Sequence, residues 1–537
     1  MRSRLVRRVA AAALVALVVA AALAAADART EGWPLPAWWR LVVERFWDHA
    51  DRWLPALGAA AVLLTLLERL VRRAPLPPRH AALALALCLG VAAARLLDLA
   101  GVPRPPARPN LLLVSVDTLR ADRLGTYGNA LPTSPRLDAL AAEGVLFETV
   151  LSQSPKTTPS HATMLTSLAP CVHGLTMWEG TEARPVLSPR VHTLAEALRA
   201  RGYATAAFTG GGPMDRSRGF GQGFARYREE QPIERAMRWL AKRPRGRPFF
   251  LFVHTFEVHD PYVPRADLVE QFLPGYRGPL LDVVADLRRR RGDWDRAHRR
   301  FWDAADLRDP ATRQALARLY EAGIRSFDDG GLTRLLAEVD RLGLAGDTLV
   351  VVTGDHGEAF GEHGRFLHDD LHIGTLHVPL VLRLPGRLPA GVRVAEPARL
   401  LDVVPTVLDL LAVAPLPDMQ GRSLAPFARG GAGDGTPPPA VSEWTDPHGP
   451  PQIAVRSGGF SYLEIGGVPA LFDLHADPGE QHDLAANQSE RVATFHSVVD
   501  AWRADCARLT RRYGPQGPGV APSDEVLRRL RALGYVE

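Results

Sequence analysis

The chain has 537 residues, 46% of them hydrophobic, enough for one large α/β domain with additions or for two or three domains. Its formal net charge of +5 is a small excess, and much of it sits in arginine-rich flanks and loops such as LRRRRGDWDRAHRR at 287–300. With no recognition motif and no pattern of interleaved aromatics, those stretches read as solvated surface and exclude nucleic acid as an expected partner.

The N-terminus, MRSRLVRRVAAAALVALVVAAALAAADA, places four arginines before an apolar run that ends at Asp27. Alone, this is either a signal peptide or a first membrane span. Two further apolar stretches, 54–71 and 81–99, are each about one span long. Glu68 and Arg69 lie at the end of one, where they can snorkel; Arg95 and Asp98 lie one turn apart near the end of the other. The basic connection RRAPLPPRH at 72–80 and the N-terminal arginines belong on the cytoplasmic side. Three spans over residues 1–100 then place the rest of the chain outside, at the periplasmic or extracytoplasmic face of a cytoplasmic membrane. The competing reading is a cleaved signal peptide followed by two amphipathic helices. Residues 101–109 are proline-rich and read as a stiff linker.

Beyond the linker the pattern alternates strands and helices. NLLLVSVD (110–117) is a continuous apolar run suited to a buried parallel strand. TLAEALRARG (193–202) is a helix closed by glycine, followed by the strand YATAAFT. PFFLFVHT (248–255), DTLVVVTGD (347–355) and VPLVLRLP (378–385) are three more buried strands, and LLDVVPTVLDLLAV (400–413) is a helix. Such alternation predicts a doubly wound α/β domain over 110–440. IAVRSGGFSYLEI (453–465) reads as an antiparallel hairpin in a smaller C-terminal subdomain, 441–537, that ends in a helical tail.

In open α/β sheets ligands bind at the carboxyl ends of strands. The strand at 110–117 ends at Asp117, followed by Thr118. The strand at 347–355 ends at Asp355, followed by His356. The strand at 248–255 carries His254 and leads to His259 in HDPY. Each residue alone has an ordinary structural reading, as a helix cap or a satisfied histidine. Two acids and several histidines at neighbouring strand ends point to a metal site. The three cysteines, Cys88, Cys171 and Cys506, are too few for a disulfide framework, which leaves a Cys171–Cys506 pair in an oxidising compartment as an open possibility.

Over roughly 108–537 the chain resembles the sulfatase family of the alkaline phosphatase superfamily. The segments that carry the resemblance are NLLLVSVDTLRADRLGTYG (110–128), TTPSHATMLTSLAPCVHGL (157–175), VTGDHGEAFGEHG (352–364), VPLVLRLPG (378–386) and LFDLHADPGEQHDL (471–484), in the family's order. The resemblance implies an alkaline-phosphatase-like fold and one divalent ion, Mn²⁺, Mg²⁺, Zn²⁺ or Ca²⁺, held by Asp117, Asp355, His356 and the hydroxyl of Thr157. Where many relatives have a second aspartate this chain has Thr118, a weaker ligand. His259 matches a substrate-contacting histidine. His254, His363, His368 and His372 are candidate replacements for other substrate contacts, with His368 the best placed by motif to protonate a leaving oxygen.

The family loop usually reads Cys-x-Pro-Ser-Arg, and its cysteine matures to a formylglycine whose second hydroxyl expels sulfate by elimination. Here the loop reads Thr157-Thr158-Pro159-Ser160-His161. Threonine has one hydroxyl, so a covalent ester on it must be released by water or another acceptor. That favours phosphoryl transfer over sulfate release. Lipoteichoic-acid synthases and phosphoethanolamine transferases of the same superfamily are similar in using threonine. Only two of the 64 basic residues are lysines, Lys156 and Lys242, so the lysine pair that holds sulfate in many relatives is absent. Lys156 directly precedes Thr157, and its charge either assists the developing anion or points away. Three readings follow. One is a metal-dependent hydrolase of a sulfate or phospho(di)ester, the substrate an anionic ester of a glycan or lipid. The second is a membrane-bound transferase of a phospho-head group. The third is a noncatalytic binding protein.

Overall fold

A computed structural model describes residues 108–520 and residue 527, apart from 176–183, 290–293, 432–435, 446–448 and 514–516. The expected membrane spans and most of the proline-rich linker lie outside these residues. Among the described residues no helix is long and apolar enough to cross a membrane.

Eight strands form the central sheet. In chain order they are β1 (Asn110–Val116), β2 (Val145–Phe147), β3 (Ala204–Thr209), β4 (Arg226–Glu229), β5 (Phe249–Thr255), β6 (Thr348–Gly354), β7 (Leu380–Arg383) and β8 (Val392–Val394). Their spatial order is β8-β2-β7-β6-β1-β5-β3-β4. From β4 to β6 all pairings are parallel. The segment expected to add another strand of a doubly wound sheet, β7, runs antiparallel to both β6 and β2. The sheet is therefore mixed. An apolar run buries a strand on both faces in either direction, so composition alone does not distinguish the two.

The continuous apolar runs are explained by burial on both sides. Alternate residues of β1 enter opposite layers: Leu111 and Leu113 pack in one core, Leu112, Val114 and Val116 in the other. Strand β6 divides likewise, with Leu349 and Val351 on one face and Val350 and Val352 on the other. Each such side chain contributes roughly 1.5–3 kcal/mol on leaving water.

Helix α1 (Thr157–Thr166) lies in the first layer and is buried along its whole length. Helix α2 (Pro170–His173) follows it, and Cys171 at its start is disulfide-bonded to Cys506 of the C-terminal helix. The pairing left open by the sequence is thus made. Helix α3 (Leu194–Ala200) begins with a capping box between Thr193 and Glu196. Helices α4 (Trp294–Asp303) and α5 (Pro310–Phe327) lie on the other side, and α6 (Val403–Leu410) returns to the α1 side. Beyond the sheet, β9 (Ala440–Thr445), β10 (Pro451–Ser457), β11 (Phe460–Ile465) and β12 (Val468–Asp473) form a separate antiparallel sheet. The expected hairpin is β10–β11. Helix α7 (Ser489–Tyr513) packs Phe495 and Val499 against Ile453, Val455 and Tyr462 of this sheet.

Candidate active site

Register brings the site together. Val116 of β1 sits opposite Thr255 of β5 and Gly354 of β6, so the three strands end level and Asp117 and Asp355 emerge side by side. One ligand atom from each of Asp117, Asp355 and His356 lies within 4.8 Å of the others, and all three residues are fully buried. Thr157, at the first position of α1, brings its hydroxyl to 3.2 Å from Asp117 Oδ2 and 3.3 Å from His356 Nε2. The helix thus directs its positive dipole end toward the same point.

The donor set fits a divalent cation. Asp117 Oδ1 and Asp355 Oδ2 are buried and accept no hydrogen bond. Carboxylate oxygens left in that state are costly unless a cation takes them. Burial and the charge of Asp117 push the Asp355 carboxyl well above its usual range. Burial also pushes Asp117 up, but its hydrogen bond from His254 and the charges of His259 and His356 hold it below the ordinary carboxylate range. Two carboxylates at one buried point retain a proton on one of them unless a cation replaces it. Burial keeps His356 well below its ordinary value, so it is neutral and able to ligate.

Thr118 does not present its hydroxyl as a fifth ligand. It occupies the left-handed region at φ 59°, and its Oγ1 donates to the Asp117 carbonyl at 2.7 Å. Its amide instead donates to Asp355 Oδ1 at 3.2 Å, and its own carbonyl accepts from Tyr320 at 2.7 Å. The backbone at this position therefore orients one member of the acid pair.

Histidines surround the cluster. His259 Nε2 lies 4.0 Å from Asp117 Oδ1, while its Nδ1 is held by the Asp260 carbonyl at 2.7 Å and faces Asp260 Oδ1 at 3.1 Å. The other oxygen of Asp260 accepts from Trp302 Nε1 and faces His298 Nε2, each at 2.8 Å. His368 Nδ1 bonds Glu358 Oε1 at 3.0 Å, and its ring centroid is 5.5 Å from that of His259. Burial, and then the charge of Lys156, lower the His368 pKa to about 4. Burial and the Asp260 charge push Glu358 well upward. Both expected proton-handling histidines are thus anchored by a carboxyl group and turned toward one space.

Lys156 is engaged elsewhere: its ammonium pairs with Asp369 and lies 4.8 Å from the centre of the Trp444 ring. His363 and His372, two of the candidate replacements, stack on each other apart from the cluster.

Two contributors, His161 and His298, were not assigned site roles from the sequence. His161, where the family loop carries arginine, bonds the Thr157 carbonyl through Nδ1 at 2.8 Å and Ser115 through Nε2 at 2.9 Å. Burial, with the neighbouring His254, lowers its pKa to about 3, so the position carries no charge. His254, one of the candidate substrate contacts, instead bonds Asp117 Oδ2 at 3.0 Å. His298 reaches Asp260 from α4, within the arginine-rich segment 287–300 that the sequence reads as solvated surface. The i, i+4 spacing of Thr157 and His161 on one helix face was the available signal for the first of these.

A sulfatase family model matches residues 109–413. The chain is 30% identical to steryl-sulfatase of Mus musculus, over 79% of this chain and 87% of that protein. It is 26% identical to arylsulfatase K of Bos taurus, over 73% and 81%. Among solved structures, one in complex with its substrate D-glucosamine-2-N,6-O-disulfate superposes with a TM-score of 0.63 at 18% identity, covering 75% of this chain and 98% of the other. Phosphonate monoester hydrolase of Agrobacterium radiobacter superposes at 0.61 with 23% identity, covering 74% and 96%. The motif order, the level ends of β1 and β6, and a family match over more than half the chain lead to one conclusion: this chain belongs to the sulfatase family of hydrolases, within the alkaline phosphatase superfamily.

Proposed function

We propose that this chain is a metal-dependent hydrolase of phosphoesters, acting through a covalent ester on Thr157. The observation that carries the reading is the single hydroxyl of Thr157, buried at the head of α1 and within hydrogen-bond reach of Asp117 and His356. Asp117, Asp355, His356 and Thr157 Oγ1 would hold the ion, which supplies a lowered nucleophile pKa and neutralises a non-bridging oxygen. Thr157 Oγ1, oriented by its hydrogen bond to Asp117 Oδ2, gives up its proton to solvent and attacks phosphorus as the alkoxide. The bond to the leaving oxygen breaks, and that oxygen takes a proton from His259, whose ring Asp260 holds. Water then cleaves the phosphothreonine, the same histidine accepting its proton and Thr157 Oγ1 leaving as the alkoxide that attacks in the next turnover. Asp260 and Glu358 hold the two rings in place throughout.

The names of the relatives favour a sulfate ester, and phosphonate monoester hydrolase stands among the structural neighbours. A sulfothreonine lacks the elimination route of a hydrated aldehyde, which is why phosphorus is preferred here. The decisive test assays purified full-length protein with Mn²⁺ against an aryl sulfate, an aryl phosphate diester and a phosphonate monoester. Mass spectrometry of quenched turnover mixtures then looks for phosphothreonine. Faster aryl sulfate turnover, or no adduct on Thr157, would overturn the assignment.

We further read residues 1–100 as a membrane anchor, 101–109 as a linker, 110–440 as the catalytic domain and 441–537 as the C-terminal subdomain, outside the cytoplasmic membrane. Support comes from the apolar segments and from the Cys171–Cys506 disulfide, which suits an oxidising compartment. The same segments favour, as a second reading, transfer of a phospho-head group to a glycan or lipid hydroxyl. Release of product without added water-competing acceptor separates hydrolysis from transfer.

A further inference from the structure

We propose that His363, His372 and Glu480 form a second cation site, separate from the Asp117–Asp355–His356 cluster, that takes Zn²⁺ and latches the loop bearing His368 to the C-terminal subdomain. One ligand atom from each of the three lies within 4.8 Å of the others. His363 belongs to the turn Glu362–Gly364, and Glu480 follows β12.

Each imidazole presents a lone pair. His372 Nδ1 lies 3.2 Å from Asp370 Oδ1, which leaves Nε2 as the unprotonated nitrogen. A carboxylate on the far nitrogen is the arrangement that orients and strengthens histidine ligands. The Gln481 amide donates toward His363 Nε2 at 3.4 Å, so that nitrogen is an acceptor as well. Glu480 is buried; its Oε1 accepts from Arg456 and its Oε2 from the Ile373 amide, each at 2.7 Å. Each oxygen keeps a further lone pair. Asp370 and Glu480 against Arg456 leave one net negative charge beside the two rings.

Three costly features converge here. The two rings stack face to face, centroids 3.6 Å apart and planes at 8°. That is the least favoured arrangement of two π systems, and protonation of either ring adds repulsion. His363 at φ 52° and Glu480 at φ 57° both occupy the left-handed region without being glycine. A shared cation offsets all three. Coordination through both Nε2 atoms would turn the rings out of their parallel stack. Two imidazoles, one carboxylate and a water make a zinc donor set.

The test uses full-length, detergent-purified protein stripped with a chelator and carrying Asp355→Asn, so that the active-site cluster is disabled. Zinc is titrated in competition with a chromophoric chelator. One Zn²⁺ per chain is expected, with affinity weakened more than about tenfold by His372→Gln and by His363→Gln. Absence of zinc binding in the Asp355→Asn protein, or equal affinity with and without His372, overturns the proposal. If Asp355→Asn does not fold, zinc per chain after desalting is compared between wild type and His372→Gln. Loss of one equivalent is expected, and equal stoichiometry overturns the site.

Discussion

Replacing Thr157 by alanine removes one oxygen and one methyl group from a fully buried position. The lost hydrogen bonding costs about 1 kcal/mol and the lost methyl about another, small beside a typical stability of roughly 5–15 kcal/mol. The Thr157→Ala protein therefore folds. Its turnover should nevertheless fall by about 10⁴-fold, some 5.4 kcal/mol of barrier, because the covalent step is gone while the rest of the site remains. Thr157→Ser keeps the oxygen but loses the branch that fixes χ1, and should stay within about tenfold of wild type. The assay is steady-state hydrolysis of an aryl phosphate diester at saturating Mn²⁺, with circular dichroism as the folding control. Turnover by Thr157→Ala within about tenfold of wild type would refute the proposed nucleophile.

His298→Ala removes one of the two side chains that hold Asp260 and so loosens His259. It should slow substrates with poor alkoxide leaving groups by about tenfold while leaving activated aryl esters nearly unchanged; equal slowing of both would contradict leaving-group protonation through His259. Burial lowers the pKa of His173 to about 3, and Leu175 donates to its Nδ1 at 3.1 Å. Between about pH 6.5 and 3 the unfolded chain binds a proton there that the native chain does not, so stability falls as pH falls through that window. The slope is at most about 1.4 kcal/mol per pH unit, and His173→Gln should flatten the acid limb of a Tm–pH curve. Asp402→Ala leaves Arg399 buried without its bidentate partner and should cost about 3–5 kcal/mol in chemical denaturation.

The sequence by itself determined the family, the strands β1, β3, β5 and β6, the C-terminal hairpin and the acid–acid–histidine cluster. These are legible because each rests on local pattern: a buried strand is a continuous apolar run, and the residue at its carboxyl end is adjacent in the chain to that run. The Thr157 substitution is legible for the same reason, since its chemistry follows from counting hydroxyls. What only the tertiary structure decided depends on partners far apart in the chain. The antiparallel direction of β7 is a property of its pairing with β6 and β2. The Cys171–Cys506 bond joins residues 335 apart. The turning of the Thr118 hydroxyl onto the Asp117 carbonyl, at a residue with a left-handed φ, is encoded by no side-chain pattern. Lys156 precedes the nucleophile in sequence, yet its ammonium is drawn to Asp369 and Trp444. His298 and Asp260 meet across 38 residues only because α4 folds back over the site. Side-chain direction and long-range register are set by packing, and a one-dimensional reading has no access to either.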